Sequence, residues 1–517
     1  MSWEAEVEEL RRREALGRAM GGPEKIKRQH DAGKLTVRER IAGLVDPGSF
    51  HEIGALAGRA QYNAQGEMQS FTPANFVLGR ARVGGRTVVV AGDDFTVRGG
   101  ANDAAIREKL LATEMMAHEL RLPLLRLVDG TGGGGSVKNI ETVGHTLLPG
   151  YEGELWQHMT ENLETVPVVA MALGSTAGLG SARVVASHYS IMVKDTSQLF
   201  IAGPPVVARI GQKLEKNELG GSHIHTRNGA VDDEAASEAE AFGMARRFLS
   251  FLPASVYELP TRSEPKDDPQ RRDPWLLQAV PKDRRKVYKM RAIINSLVDA
   301  ESFFEMGRGW GRSVITGLAR LNGWPVALLA SDPMVYGGAW TADSSQKTVR
   351  FVDLAEVFHL PVVHLVDIPG FLIGVEAEKT ATIRHGARAL TAIVQATVPW
   401  ATVIVRKAFG VAGMAHQNAA RYCMRCAWPS GDWGSLPVEG GVEAAYRAEI
   451  EAAPDPAARL AEIEERLNRL RSPFRSAERF MPEEIIDPRD TRPWLCEFAD
   501  VAANARTAGK TRFGVRP

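Results

Sequence analysis

The chain repeats itself. Leu44–Gly54 reads LVDPGSFHEIG and Leu297–Gly307 reads LVDAESFFEMG, an offset of 297 − 44 = 253 positions. Leu122–Gly132 (LPLLRLVDGTG) returns as Leu360–Gly370 (LPVVHLVDIPG), where 360 − 122 = 238. Thr165-Val166-Pro167 returns as Thr397-Val398-Pro399, where 397 − 165 = 232. The order is kept and the offset drifts slowly, as loops of unequal length produce. Solenoid repeats run roughly 20–50 residues, so this period implies a duplicated domain. Two similar domains give two similar sites that can face two different reactants.

The length of 517 residues suits two domains of this size. Lys+Arg 63 balances Asp+Glu 63, so no global field attracts nucleic acid and any anionic ligand must be held by local groups. The N-terminal stretch MSWEAEVEELRRREALGRAM is charged and helical in pattern, without the apolar core of a signal peptide. No run of apolar residues is long enough to span a bilayer. Three cysteines argue against a disulfide framework and suit a reducing setting, cytoplasmic or, if a targeting segment has been removed, an organelle matrix.

Strand and helix patterns alternate along both halves, which implies an α/β class. The first 45 residues read as helical. Arg86–Ala91, Leu124–Val128 and Val166–Ala172 are strand candidates, with the turn Arg98-Gly99-Gly100 and an amphipathic helix at Ala104–Leu120 between them. The second half repeats this with Val326–Ala330, Gly337-Gly338, a helix near Ser345–Phe358, Val362–Val366 and Ala401–Val405. The Pro- and charge-rich segment Thr261–Asp283 is the expected linker, which gives domains at 1–262 and 275–517. Glu443–Leu470 reads as a pair of surface helices.

The chemistry-bearing pattern is a pair of small-residue turns, Ala177-Gly178-Leu179-Gly180 and Phe409-Gly410-Val411-Ala412. They occupy the same place in the two repeats (410 − 178 = 232), each after a strand begun by Thr-Val-Pro and before a helix pattern. Small residues let a ligand approach the backbone, and the first amides of a helix point outward with positive dipole character. Two such N–H groups converging on one oxygen make an oxyanion hole. A tightly packed strand-to-helix turn would read the same way if it occurred only once.

Asp129–Val137 (DGTGGGGSV) lacks the Lys-Ser or Lys-Thr of a phosphate loop. Gly130–Gly135 fits the dinucleotide glycine spacing with Glu152 as an acid, but the residues between make a poor helix-then-strand pattern, so an active-site loop is the better reading. Cys423 and Cys426 form a C-x2-C pair read as structural and helical, because the second pair of a zinc site is missing. His223 and His225 (H-x-H), His385 and His416 are read as structural residues. No HExxH and no G-x-S-x-G occurs. The recurrent elements are therefore backbone amides, which points to an enzyme that stabilises an oxyanion while something else moves the proton.

The chain resembles the carboxyltransferase (beta) subunits of biotin-dependent acyl-CoA carboxylases, of the propionyl-CoA and methylcrotonyl-CoA type. The matching segments include GKLTVRERIAGLVDPGSFHEIG (33–54), DDFTVRGG (93–100), MVKDTSQLFIAGPPVV (192–207) and ELGGSHIHTRNGAVDD (218–233). They continue with VDIPGFLIG (366–374), IRHGARAL (383–390) and TVPWATVIVRKAFG (397–410). The resemblance implies two tandem crotonase-type (ββα spiral) domains. It implies acyl-CoA on the N-terminal domain, carboxybiotin from a biotin carboxylase/biotin carrier (alpha) subunit on the C-terminal domain, and a homo-hexamer. The implied reaction moves a carboxyl group from carboxybiotin to the α (or vinylogous γ) carbon of the acyl-CoA, with biotin taking the proton and no metal at this half-site. Carried onto this chain, the amides of Gly178 and Leu179 hold the thioester oxygen, and those of Val411 and Ala412 hold the biotin oxygen. Ala177, Gly180, Gly99, Gly100, Gly132, Gly133, Gly410 and Met414 are then expected to bind substrate.

The sequence departs from the family pattern in two places. Leu179 and Val411 stand where the second glycine of each turn is usual, and DGTGGGGSV replaces D-S-G-G-A-R. The same resemblance admits a biotin-dependent carboxyl-CoA decarboxylase subunit, or a non-catalytic scaffold for a biotinylated partner.

Overall fold

A computed structural model of the chain describes residues 2–101, 106–130, 140–141, 144–146 and 153–513. Two compact units are present, Met1–Glu258 with Gly509–Pro517, and Leu259–Ala508.

The first unit opens with helices α1 (Glu4–Arg18), α2 (Pro23–Asp31) and α3 (Val37–Leu44). A capping box starts α3, Thr36 and Glu39 satisfying each other's backbone amides. Strands β1 (His51–Ile53), β4 (Phe76–Val83), β5 (Arg86–Asp93), β6 (Leu124–Val128), β7 (Val168–Ala172), β9 (Tyr189–Val193) and β11 (Asp233–Ala235) form one sheet in that order. A hairpin of β2 (Gly58–Tyr62) and β3 (Met68–Pro73) stands apart, and β8 (Ser175–Ala177) pairs with β10 (Gln198–Phe200). From β5 onward the pairing is parallel. Strands β6, β7 and β9 are buried along their whole length, which is why they read as unbroken apolar runs rather than alternating ones. Helices α4 (Arg107–Glu119), α5 (Gly153–Leu163), α6 (Leu179–Val185) and α7 (Glu238–Ser250) cover the sheet or link its strands.

The second unit repeats the plan. Helix α8 (Met290–Leu297) lies 253 positions after α3 (290 − 37 = 253). Strands β12 (Phe304–Met306), β13 (Val314–Leu321), β14 (Trp324–Ser331), β15 (Val362–Ile368), β16 (Trp400–Phe409), β17 (Met424–Ala427) and β19 (Glu484–Ile485) follow the same seven-strand path, with β18 (Asp432–Gly434) paired to β16. Helices α9 (Ala342–Val357), α10 (Thr382–Gln395) and the short α11 (Gly410–Gly413) precede the C-terminal helix α12 (Thr491–Asn504).

The copies agree in side-chain detail. Arg38 pairs with Glu52, and Arg291 pairs with Glu305. Buried Lys109 donates to Gly54 O at 3.2 Å; buried Lys347, at the same point of the second copy, donates to Val314 O at 2.8 Å.

Three expectations need correcting. The linker segment is packed into the second unit: Arg271 donates to Ser296 O and Val298 O, and Arg492 Nε donates to Asp268 O. The chain's end leaves the second unit, with Gly509 N–H donating to Val256 O of the first. Cys423 and Cys426 lie at strand β17 rather than on a helix, because Met424–Ala427 pairs in parallel with β16 and both thiols are buried against the sheet.

Candidate active site

Two strand-to-helix turns carry the site. In the first unit β8 ends at Ala177, Gly178 follows at φ 57° and ψ −120°, and α6 begins at Leu179. That backbone belongs to glycine; a Cβ there would meet nothing within 4 Å, so the constraint is conformational and not steric. In the second unit Gly410 sits at φ 61° at the end of β16, with Val411 and Ala412 after it.

The Gly178 N–H donates to Phe200 O at 3.1 Å, as an extension of the β8–β10 pairing. Ser181 Oγ braces the same carbonyl at 3.0 Å. The Gly178 N–H is therefore engaged within the pairing, whereas the amides of Leu179 and Gly180 take no partner among the described residues. As first-turn residues they have no intrahelical acceptor. Gly178 supplies the bend.

Leu179 and Val411 are not strained. Neither is among the residues at positive φ, so the glycine they replace is not needed for backbone reasons. Leu179 packs its side chain on Leu111, Leu155, Met159 and Ala186. Val411 and Met414 are exposed and Ala412 is buried.

The turn Arg98-Gly99-Gly100 has φ of 52°, 63° and 63°, and Tyr336-Gly337-Gly338 repeats it at 50°, 63° and 87°. A Cβ on Gly100 would lie 2.5 Å from Asp129 O, and one on Gly338 would lie 2.3 Å from Asp367 O. Both glycines are required because the neighbouring strand presses on them. Gly100, Gly130 and Gly180 are gathered at one place, since a Cβ on Gly180 would lie 3.5 Å from Gly130 O. Gly132 and Gly133 lie outside the described residues.

A fully buried carboxylate stands behind each turn. Asp129 accepts from Arg40 at 2.8 Å and Lys34 at 2.9 Å, and Arg40 also pairs with Glu238. Asp367 accepts from Arg406 at 3.0 Å, from Tyr288 Oη at 2.9 Å and from Lys407 N–H at 3.1 Å. Burial presses the Lys34 ammonium pKa down against the pull of Asp129, and lifts the Tyr288 phenol well above its ordinary value.

In the first unit a cavity of about 470 Å³ opens beside Gly99 and Ser175, lined by Lys25, Arg28, Lys34, Arg98 and Lys216 with Phe95. Lys34 Nζ lies 4.1 Å from the Phe95 ring centroid. The sequence reading missed this basic cleft, although Lys25 and Arg28 sit three apart, on one face of α2. In the second unit a cavity of about 470 Å³ is lined by Gly410, Met414, His416, Arg425, Trp433 and Met481 among others.

Two of the four histidines singled out in the sequence, His416 and His225, have local partners. His416 Nδ1 lies 2.8 Å from Gly413 O and its Nε2 lies 3.1 Å from Arg425, and burial lowers its pKa. His225 Nε2 lies 3.0 Å from Leu199 O while His223 is exposed. His385 lies on α10. Buried His364 is pushed down to about 3 by desolvation. Among the described residues no group of three His, Cys, Asp or Glu is placed to hold a metal ion.

The carboxyl transferase domain family matches residues 28–515. The propionyl-CoA carboxylase carboxyltransferase subunit of Haloferax mediterranei is 35% identical over 499 residues, covering 95% of this chain and 95% of that protein. The mitochondrial propionyl-CoA carboxylase beta chain of Homo sapiens is 34% identical over 508 residues, covering 97% of this chain and 90% of that one. A crystal structure of transcarboxylase 12S, described as a hexamer assembly with methylmalonyl-coenzyme A and methylmalonic acid bound, superposes with a TM-score of 0.89 at 33% identity, over 100% of this chain and 99% of that chain.

Proposed function

This chain belongs to the carboxyl transferase family, and from that premise we propose that it moves a carboxyl group from carboxybiotin to the α (or vinylogous γ) carbon of an acyl-CoA. One observation carries the reading: two units of one topology each present a positive-φ glycine followed by outward-facing helix amides. Substrates of this reaction develop negative charge on two oxygens, the thioester oxygen as it becomes an enolate and the ureido oxygen of biotin.

The residues present fit both reactants. In the first unit the free amides of Leu179 and Gly180 take the thioester oxygen. The basic cleft with Lys25, Arg28, Arg98 and Lys216 takes the phosphates of coenzyme A. In the second unit the amides of Val411 and Ala412 take the ureido oxygen, and exposed Val411 and Met414 offer apolar walls. Carboxybiotin, when bound, supplies the carboxyl group and a ureido nitrogen that accepts the α-proton. The chain's part is to hold both oxygens and keep water out. Each amide donor is worth about 3–4 kcal/mol of transition-state stabilisation, and fixing the reactants adds a proximity term.

The reading includes a biotin-bearing alpha subunit as partner, and a homo-hexamer on the strength of the transcarboxylase 12S description. It places the protein in the cytoplasm, supported by three unpaired, buried thiols. Incubation with free biotin and a panel of carboxylated acyl-CoAs tests it. Biotin-dependent decarboxylation of at least one thioester is expected, and the preferred one names the substrate; a folded protein that turns over none contradicts the reading.

A further inference from the structure

Gly174 and Arg406 stand at equivalent positions, since 406 − 174 = 232 is the offset that relates Gly178 to Gly410. Beside each lies the equivalent aspartate, Asp129 or Asp367 (367 − 129 = 238). In the first unit the carboxylate occupies the space a side chain at 174 would need: a Cβ on Gly174 would lie 1.9 Å from Asp129 Oδ1. Its guanidinium comes from Arg40 on α3, whose Nη2 also donates to Leu173 O at 2.8 Å. In the second unit position 406 is itself the arginine, with Nε and Nη2 both on Asp367 Oδ2 at 3.1 and 3.0 Å. The residue equivalent to Arg40 (40 + 253) is Ile293, fully buried and apolar. The duplicated fold thus keeps one buried carboxylate–guanidinium pair and supplies its cation from two different chain positions.

In both copies the pair grips the backbone just ahead of the hole. Arg40 holds Leu173 O and Asp129 abuts Gly174, five and four residues before Gly178. Asp367 takes the Lys407 N–H and the Arg406 guanidinium, three and four residues before Gly410. Neither carboxylate reaches solvent: Asp129 and Asp367 are both 0% exposed. Ion pairs this deep often contribute little net stability. That the two copies hold the same pair by different routes marks its placement as the retained property.

We infer that Asp129 and Asp367 are positioning residues of the two oxyanion holes, fixing the backbone segment that delivers each set of hole amides without touching either reactant. The inference rests on the hole assignment proposed above. A double-mutant cycle separates the two. Proline is tolerated at the first position of a helix, so Leu179→Pro removes the N–H there, and Leu179→Ala controls for the lost side chain. Leu179→Pro is expected about 100-fold below Leu179→Ala in kcat for biotin-dependent decarboxylation. Asp129→Asn is expected to cost about 10- to 30-fold in the Leu179→Ala background but less than about threefold in the Leu179→Pro background, because a hole left with the Gly180 donor alone gains little from alignment. An equal cost in both backgrounds, with near-ultraviolet dichroism showing folded protein, overturns the positioning role and leaves the hole standing. Equal rates for the two Leu179 variants overturn the hole assignment itself. Should Asp129→Asn fail to fold, Arg40→Lys, which keeps the charge and loses the two-pronged grip, passes through the same cycle with the same criteria.

Discussion

Asp129 Oδ1 occupies the place where any side chain at residue 174 would begin, 1.9 Å from a Cβ built on Gly174. The glycine there is the complement of a buried carboxylate that draws its partner from Arg40. The equivalent arginine at 406 is the same complement solved from the other side.

From that relationship, Gly174→Ala is expected to destabilise the first unit by about 1–3 kcal/mol through overpacking. Arg406→Met, which strips the buried Asp367 of its cation, is expected to cost the second unit about 3–5 kcal/mol. Denaturant titrations of the full chain followed by unit-specific tryptophan signals measure both. A Gly174→Ala protein as stable as wild type would mean that the Asp129 carboxylate is not where it is described.

Replacing Leu179 by glycine restores the residue usual in the family. Because Leu179 sits at helical φ and packs on Leu111, Leu155 and Met159, the change is expected to lower stability by about 1–3 kcal/mol. Its effect on kcat is expected to stay within about threefold, since the amide is retained. A large gain in kcat would show that the side chain obstructs the site.

Charge reversal in the basic cleft separates binding from chemistry. Lys25→Glu and Arg28→Glu are expected to raise KM for acyl-CoA by about 10-fold each while leaving kcat unchanged, because the phosphates lie far from the reacting bond. The effect is expected to shrink with added salt. It should vanish with a pantetheine thioester that lacks the nucleotide; persistence there would place the coenzyme elsewhere.

Burial holds the Lys109 pKa down to about 8, from an ordinary 10.5. Between those values the unfolded chain binds the proton that the folded chain has released, so this group makes stability rise with pH from about 8 to 10.5. Below 8 the buried charge is a standing cost. Lys109→Met is therefore expected to gain stability relative to wild type at pH 7, and that advantage should diminish as pH rises toward 10. Melting curves across pH 7–10 measure the difference; one that grows with pH contradicts the sign.

The architecture was legible because buried parallel strands leave apolar runs, and because a duplicated chain prints its own register. LVDG at 127–130 and LVDI at 365–368 announced the paired aspartates, although not what they hold. What was illegible depends on distant partners. The engagement of the Gly178 N–H by Phe200 follows from a pairing between β8 and β10, whose partners lie 23 residues apart in the chain (198 − 175 = 23). The basic cleft draws on α2, the turn at Arg98 and Lys216, so no short window contains it. Thr261–Asp283 read as a linker because Pro and charge mark loops, yet Arg271 donates to Ser296 O and Val298 O and Asp267 pairs with Arg492, all within one unit.

On the proposed function, the two turns hold two different oxygens. That assignment is tested most directly by steady-state kinetics of biotin-dependent decarboxylation with Leu179→Pro and Val411→Pro, each beside its alanine control, varying acyl-CoA and free biotin separately. The account predicts that Leu179→Pro lowers kcat by about 100-fold without raising KM for biotin, whereas Val411→Pro weakens the use of biotin and leaves KM for acyl-CoA unchanged. Identical kinetic signatures from the two proline variants, or none from either, would contradict it.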